Sequence, residues 1–83
     1  RATAIPAALA EARRLVAAGV TDAALVRTAA QACLAREPAI RLQYIELVDQ
    51  ETIAPVTQVT PGRCALAIAC HLGNTRLIDN TLL

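Results

Sequence analysis

Between Arg63 and Asn80 the chain alternates in twos around a Gly-X pair, and this stretch predicts a complete β-hairpin. Cys64, Leu66, Ile68, Cys70 and Leu72 fall on one face of its first strand, and Ala65, Ala67, Ala69 and His71 on the other. Gly73 and Asn74 form the turn, with Gly73 at the first central position of a II′ type. The run from Thr75 to Asp79 then returns antiparallel, Thr75 and Leu77 on one face and Arg76 and Ile78 on the other. A face made of methyl groups lets a helix backbone approach closely. Helices are therefore expected against the alanines, with a second apolar layer or a partner on the Leu/Ile/Cys side.

Upstream the period is 3.6. Ile5, Leu9, Ala12, Leu15 and Val16 share a helical stripe opposite Glu11, Arg13 and Arg14, in a helix running from Thr3 or Ala4 to Ala18. Pro6 suits its first turn and Gly19 the left-handed residue that ends it. A second helix is predicted over about 22–36, capped by Thr21, with Asp22 at the positive end of the dipole and Val20 stapled onto Leu25. Leu25, Val26, Ala29, Ala30, Cys33 and Leu34 form its apolar stripe, Arg27 and Gln31 its solvated side, and Pro38 disfavours helix at Glu37. From Ile40 to Asp49 the period returns to two, with β-formers Tyr44, Ile45, Leu47 and Val48. Both parities of this strand are mixed: Leu42, Tyr44 and Val48 fall with Glu46, and Gln43, Ile45 and Leu47 with Arg41. Asp49 to Thr52 reads as a turn and Ile53 to Pro61 as a loop. The expected fold is α+β in the order ααβββ. Helices occupy about 4–18 and 22–36, and three antiparallel strands about 41–48, 63–72 and 75–79, in a single domain over residues 1–83.

Composition narrows the function classes. A chain of 83 residues buries only about 60–65% of its unfolded surface, too little for a large enclosed cleft. It is 55% hydrophobic with mean hydropathy +0.44, yet Tyr44 is its one aromatic residue and Phe, Trp and Met are absent. So apolar a small chain is expected to show apolar surface to a neighbouring domain or to a copy of itself, making a homo-oligomer. No apolar run approaches the length of a membrane span, and no signal peptide is read. A net charge of +1 with dispersed basic residues and no aromatic set excludes a nucleic-acid footprint. Cys33, Cys64 and Cys70 make no metal or redox spacing; Cys64 and Cys70 lie about 20 Å apart along one strand, beyond bridging distance. They read as buried free thiols of a reducing compartment.

Candidate chemistry is sparse. His71, the single histidine, adjoins Cys70, but neighbours on a strand point to opposite faces and form no dyad, so His71 reads as structural or solvent-facing. Asp49, Glu51 and Asp79 lack metal-loop spacing. Arg76 and Asp79 are expected to pair or to cap the chain end. No phosphate loop or dinucleotide fingerprint is present. On residues alone, this is a module without an active site of its own.

The run Arg41-Leu42-Gln43-Tyr44-Ile45-Glu46-Leu47-Val48-Asp49, followed by the alanine-rich strand and Gly73-Asn74-Thr75-Arg76-Leu77-Ile78-Asp79-Asn80, resembles the C-terminal domain of the pantoate beta-alanine ligase (pantothenate synthetase) family. The Leu15-to-Gly19 segment LVAAG fits the family's preceding helices, so the likeness covers nearly the whole chain. Gln43 departs from the pattern, which commonly has Asp before the Tyr, and no function is read from it. The resemblance implies a cytoplasmic, AMP-forming ligase that joins pantoate to beta-alanine through pantoyl-adenylate with ATP and Mg2+. It also implies a Rossmann-type catalytic domain with an HxGH-type signature and a Ser-Ser-Arg-Asn segment. Neither motif occurs here. The resemblance places both before Arg1, where the chain reads as cut, so no catalytic, cofactor-binding or metal residue is carried over. What remains is the lid that the family hinges over its active site, expected to be inactive alone. An autonomous oligomerisation or protein-interaction module is the alternative.

Overall fold

A computed structural model describes residues 4–83. Helices α1 (Ala4–Ala17) and α2 (Ala23–Ala35) precede strands β1 (Ile40–Asp49), β2 (Cys64–Leu72) and β3 (Thr75–Leu82), and the strands form one antiparallel sheet in that order. The α+β architecture in the order ααβββ is as expected from the sequence. Thr3 lies outside the described residues.

Helix α1 ends as Gly19 predicts. Gly19 has φ +97°, its N–H donates to Val16 O at 3.0 Å, and Val20 N–H reaches back to Leu15 O at 3.0 Å, the paired bonds of a Schellman close. The start of α2 corrects the sequence reading: Asp22, not Thr21, is the N-cap, its Oδ1 accepting Ala24 N–H at 2.9 Å. The Thr21 carbonyl accepts Val59 N–H at 2.7 Å, and Ala23 N–H donates to Thr57 O at 3.1 Å, in a short antiparallel bridge between Asp22 and Gln58. A tertiary contact thus decides which residue caps. Leu25 also departs from expectation, at 59% exposed. The buried stripe is Ala23, Val26, Ala30, Cys33 and Leu34, and Leu25 lies about 130° from its centre at 100° per residue. Val20 packs against the core rather than serving as a staple for a buried Leu25.

The largest correction concerns the sheet. The helices pack on the Leu/Ile/Cys face of β2, not on its alanines. Cys64, Leu66, Ile68 and Cys70 join one core with Ile5, Ala8, Leu9, Ala12 and Val16 of α1 and the α2 stripe. The small residues that allow close approach sit on the helices, at Ala8, Ala12, Ala23 and Ala30, each no more than 3% exposed. The strand supplies the bulk. Full burial of a Leu or Ile stabilises by about 1.5–3 kcal/mol, several times what a methyl provides, so the face richer in Leu and Ile takes the core.

Strand β1 is corrected for the same reason of register. Its pairing with β2 runs Leu42 to Cys70 and then Tyr44 to Ala69, leaving Gln43 as the extra residue of a β-bulge. The bulge resets the parity. Ile40 and Leu42 fall on the inner face with Ile45 and Leu47, while Arg41, Tyr44, Glu46 and Val48 fall on the outer one. Regular alternation would have put Leu42 with Tyr44, which explains why both parities looked mixed.

Asp49 closes β1 into the expected turn, its Oδ1 accepting the N–H groups of Glu51 at 2.8 Å and Thr52 at 3.1 Å. The following loop straps the edge of β1, with Val56 N–H on Leu47 O at 3.0 Å, and delivers Val59 to the core at 3% exposed. Gly73 has φ +62° while Asn74 is not left-handed, which matches the II′ turn expected. β3 runs three residues beyond the expected end at Asp79, because Asn80, Thr81 and Leu82 find partners in Ala67, Leu66 and Ala65. Arg13 Nη1 of α1 donates to Thr81 Oγ1 at 2.9 Å and ties helix to edge strand.

Candidate functional site

With both helices on one side, the other side of the sheet carries four cross-strand rows. They are Val48–Ala65–Leu82, Glu46–Ala67–Asn80, Tyr44–Ala69–Ile78 and Arg41–His71–Arg76. Because the middle strand contributes alanines, the flanking side chains stand clear of it: Tyr44 is 37%, Ile78 58% and Leu82 56% exposed. Ala69 is buried between Tyr44 and Ile78. Two apolar rows and one basic row thus share a surface that no element among the described residues covers. Exposed apolar side chains such as Tyr44, Ile78 and Leu82 give a sheet face the chemistry of a docking surface.

His71 lies half-buried in the basic row, and Cys70, fully buried, points the other way into the core. The structure separates them as strand alternation requires. Burial pushes the Cys70 thiol above its ordinary pKa, so it stays protonated and unreactive at neutral pH. All three cysteines are free and buried. Arg76 and Asp79 do not pair. Arg76 Nε donates to Gln43 Oε1 at 3.0 Å, and Asp79 Oδ1 accepts the N–H of its neighbour Asn80 at 2.8 Å. Alternation sets their side chains on opposite faces.

Among the described residues no three His, Cys, Asp or Glu side chains gather where a metal ion could sit. Asp49 is occupied by its own turn: the Thr52 N–H first and the Glu51 N–H next hold its carboxyl below the ordinary range. Glu11 is likewise lowered, chiefly by the hydrogen bond from Arg14, with which it forms an exposed ion pair. This donor set does not fit Mg2+. A cleft of about 250 Å³ beside the start of α2, lined by Asp22, Arg27 and Thr57 among others, brings no nucleophile to a base. Among the described residues no helix is long and apolar enough to cross a membrane.

Sequence reasoning placed Arg41 and Gln43 on one parity of β1 and read no function from either. The signal was present in the mixed parity of β1, which marks a bulge. Only the pairing shows which residue is extra.

The family model described as pantoate-beta-alanine ligase matches residues 1–82. The pantothenate synthetase of Anaeromyxobacter dehalogenans is 49% identical over 80 residues, which are 96% of this chain and 27% of that protein. That of Koribacter versatilis is 42% identical over 76 residues, 92% of this chain and 26% of that protein. A crystal structure of pantothenate synthetase from Thermus thermophilus superposes with a TM-score of 0.86 at 26% identity, covering 95% of this chain and 28% of that one. This chain spans about a quarter of the length of these relatives. On the match to nearly its whole length, it belongs to the pantoate-beta-alanine ligase family.

Proposed function

We propose that this chain is the C-terminal lid of a ligase that condenses pantoate with beta-alanine to give pantothenate, a precursor of coenzyme A. In the whole enzyme, the pantoate carboxylate attacks ATP to give pantoyl-adenylate and pyrophosphate, the amine of beta-alanine then displaces AMP, Mg2+ would serve as the metal, and the reaction takes place in the cytoplasm. The catalytic groups, the nucleotide site and the metal site belong to an N-terminal Rossmann-type domain. This chain supplies no catalytic, cofactor or metal residue. Its part is to close over the acyl-adenylate and keep water from it.

One observation carries the reading: a self-contained helix-on-sheet unit matches the family over 1–82 yet corresponds to about a quarter of each relative. The uncovered outer face, with Tyr44, Ile78 and Leu82, is the surface on which we place the rest of the enzyme. The test is AMP release from ATP, pantoate and beta-alanine. This chain alone is expected to give none, and the same chain joined to the other three quarters of a relative is expected to give it. AMP release by the isolated chain overturns the reading.

The exposed apolar rows also favour a second reading, an autonomous self-association module without catalysis. A genomic reading frame that continues upstream into a Rossmann-type domain decides against it.

A further inference from the structure

The Arg41–His71–Arg76 row sets two arginines on either side of a histidine with no acid among them. The three residues are direct cross-strand partners, so their side chains rise from the same face on three adjacent strands, in a row about 10 Å wide from two strand spacings. Both arginines are exposed. Like charges set side by side on a sheet repel, and a purely structural surface usually interleaves acids. Here the single acid of the face is Glu46, opposite Ala67, four residues along β2 from His71 and so about 13 Å away. The one ion pair among the described residues is Glu11–Arg14, on α1.

Arg76 is also held in place. Its Nε donates to Gln43 Oε1 at 3.0 Å, and Gln43 is the bulged residue of β1, two strands away. The guanidinium therefore lies across β2 toward Arg41, with both Nη groups free of partners among the described residues. A planar fork fixed by a third group is the arrangement that binds an oxyanion bidentately. Arg41 and Arg76 flank the same position of β2, so an anion with several charged groups can meet both arginines where a single carboxylate meets one.

We propose that Arg41, His71 and Arg76, with Gln43 as the positioning residue for Arg76, form a binding site for a polyphosphate anion on the outer sheet face. The inference goes beyond the lid assignment and does not rest on it, because the 83-residue chain itself is titrated and no ligase activity is read.

The experiment is a titration of the isotope-labelled chain with inorganic pyrophosphate at low salt, followed by amide NMR shifts and isothermal calorimetry. Sodium chloride of matched ionic strength serves as the reference. Saturable shifts centred on residues 41, 43, 71 and 76 are expected with pyrophosphate and not with chloride. Arg76→Ala and Arg41→Ala are each expected to weaken binding about tenfold or more, the usual effect of losing a charge-assisted bond. Arg76→Lys should recover only part of the loss, since charge without the fork is not equivalent. Arg27→Ala, on α2, should leave binding unchanged. Far-UV circular dichroism melts establish that each variant is folded. Shifts that do not saturate, that chloride reproduces, or that persist in the folded Arg41→Ala/Arg76→Ala double variant overturn the proposal.

Discussion

Arg76 on β3 reaches Gln43 on β1 across the whole width of β2, through a 3.0 Å hydrogen bond from Nε to Oε1. The contact exists because Gln43 is the extra residue of the bulge between Leu42 and Tyr44. Deleting Gln43 leaves Leu42 next to Tyr44, which restores regular alternation with Leu42 still inward and Tyr44 still outward. That deletion should retain the fold and cost only about 0.5–1.5 kcal/mol for the lost bond. Deleting Glu46 instead puts Ile45, 7% exposed, on the outer face and Tyr44 in the core. It should cost at least about 2 kcal/mol, as buried large-to-small changes do. Thermal melts of the two deletions decide: equal losses would mean the bulge is elsewhere.

Which face of β2 carries the stability is separately measurable. Leu66, fully buried under the helices, should cost about 2–5 kcal/mol as Leu66→Ala, a fall in Tm of about 10 °C or more for a domain of this size. Ala65→Val, on the outer face, adds a β-former where nothing packs and should change Tm little. A larger effect at Ala65 than at Leu66 would put the helices on the wrong side.

The hairpin turn depends on Gly73, whose φ is +62°. A Cβ added there meets nothing within 4 Å, so any cost is that of the backbone conformation alone. Gly73→Val should therefore destabilise by about 1–2 kcal/mol, lowering Tm by roughly 5–15 °C. Asn74→Gly should be close to neutral, since Asn74 is not in a left-handed conformation. If the chain is the ligase lid proposed above, the Gly73 variant should also lower that enzyme's turnover by loosening the lid. A Gly73→Val melt that overlays the parent's would refute the assignment of the turn.

Acid should loosen the Asp49 turn. The N–H groups of Thr52 and Glu51 bind the carboxylate form, so the folded pKa lies below the unfolded value of about 3.9. The stabilisation is complete above that value and disappears as pH falls through the folded pKa. Asp49→Asn keeps an oxygen to accept these bonds but cannot titrate. Melts from pH 6 down to pH 2 should show a shallower acid limb in the variant, and superimposable limbs would remove Asp49 from the account.

Exposed Tyr44, Ile78 and Leu82 on an uncovered sheet face should make the isolated chain self-associate. Sedimentation at increasing micromolar concentration should show a dimer or larger species, and Ile78→Lys with Leu82→Glu should return it to monomer without loss of helix or strand signal. A parent chain that remains monomeric throughout counts against an apolar docking face here.

Periodicity and punctuation alone placed every element of this protein: Gly19 and Pro38 bounded the helices, Gly73-Asn74 made the turn, and the runs around Tyr44 and Thr75 to Asn80 carried the family resemblance. These are local signals, encoded in a few consecutive residues through backbone conformation. Tertiary structure decided what depends on pairs far apart in the chain. It chose the helix-bearing face of β2, because the small residues Ala8 and Ala12 of α1 and the bulk of Leu66 and Ile68 join in one core. It moved the cap of α2 from Thr21 to Asp22, because the Thr21 carbonyl is bonded to Val59. It made Gln43 the bulge, which brought Arg41, His71 and Arg76 into one row. Register is a property of two strands at once, and alternation within either strand leaves the position of an extra residue open.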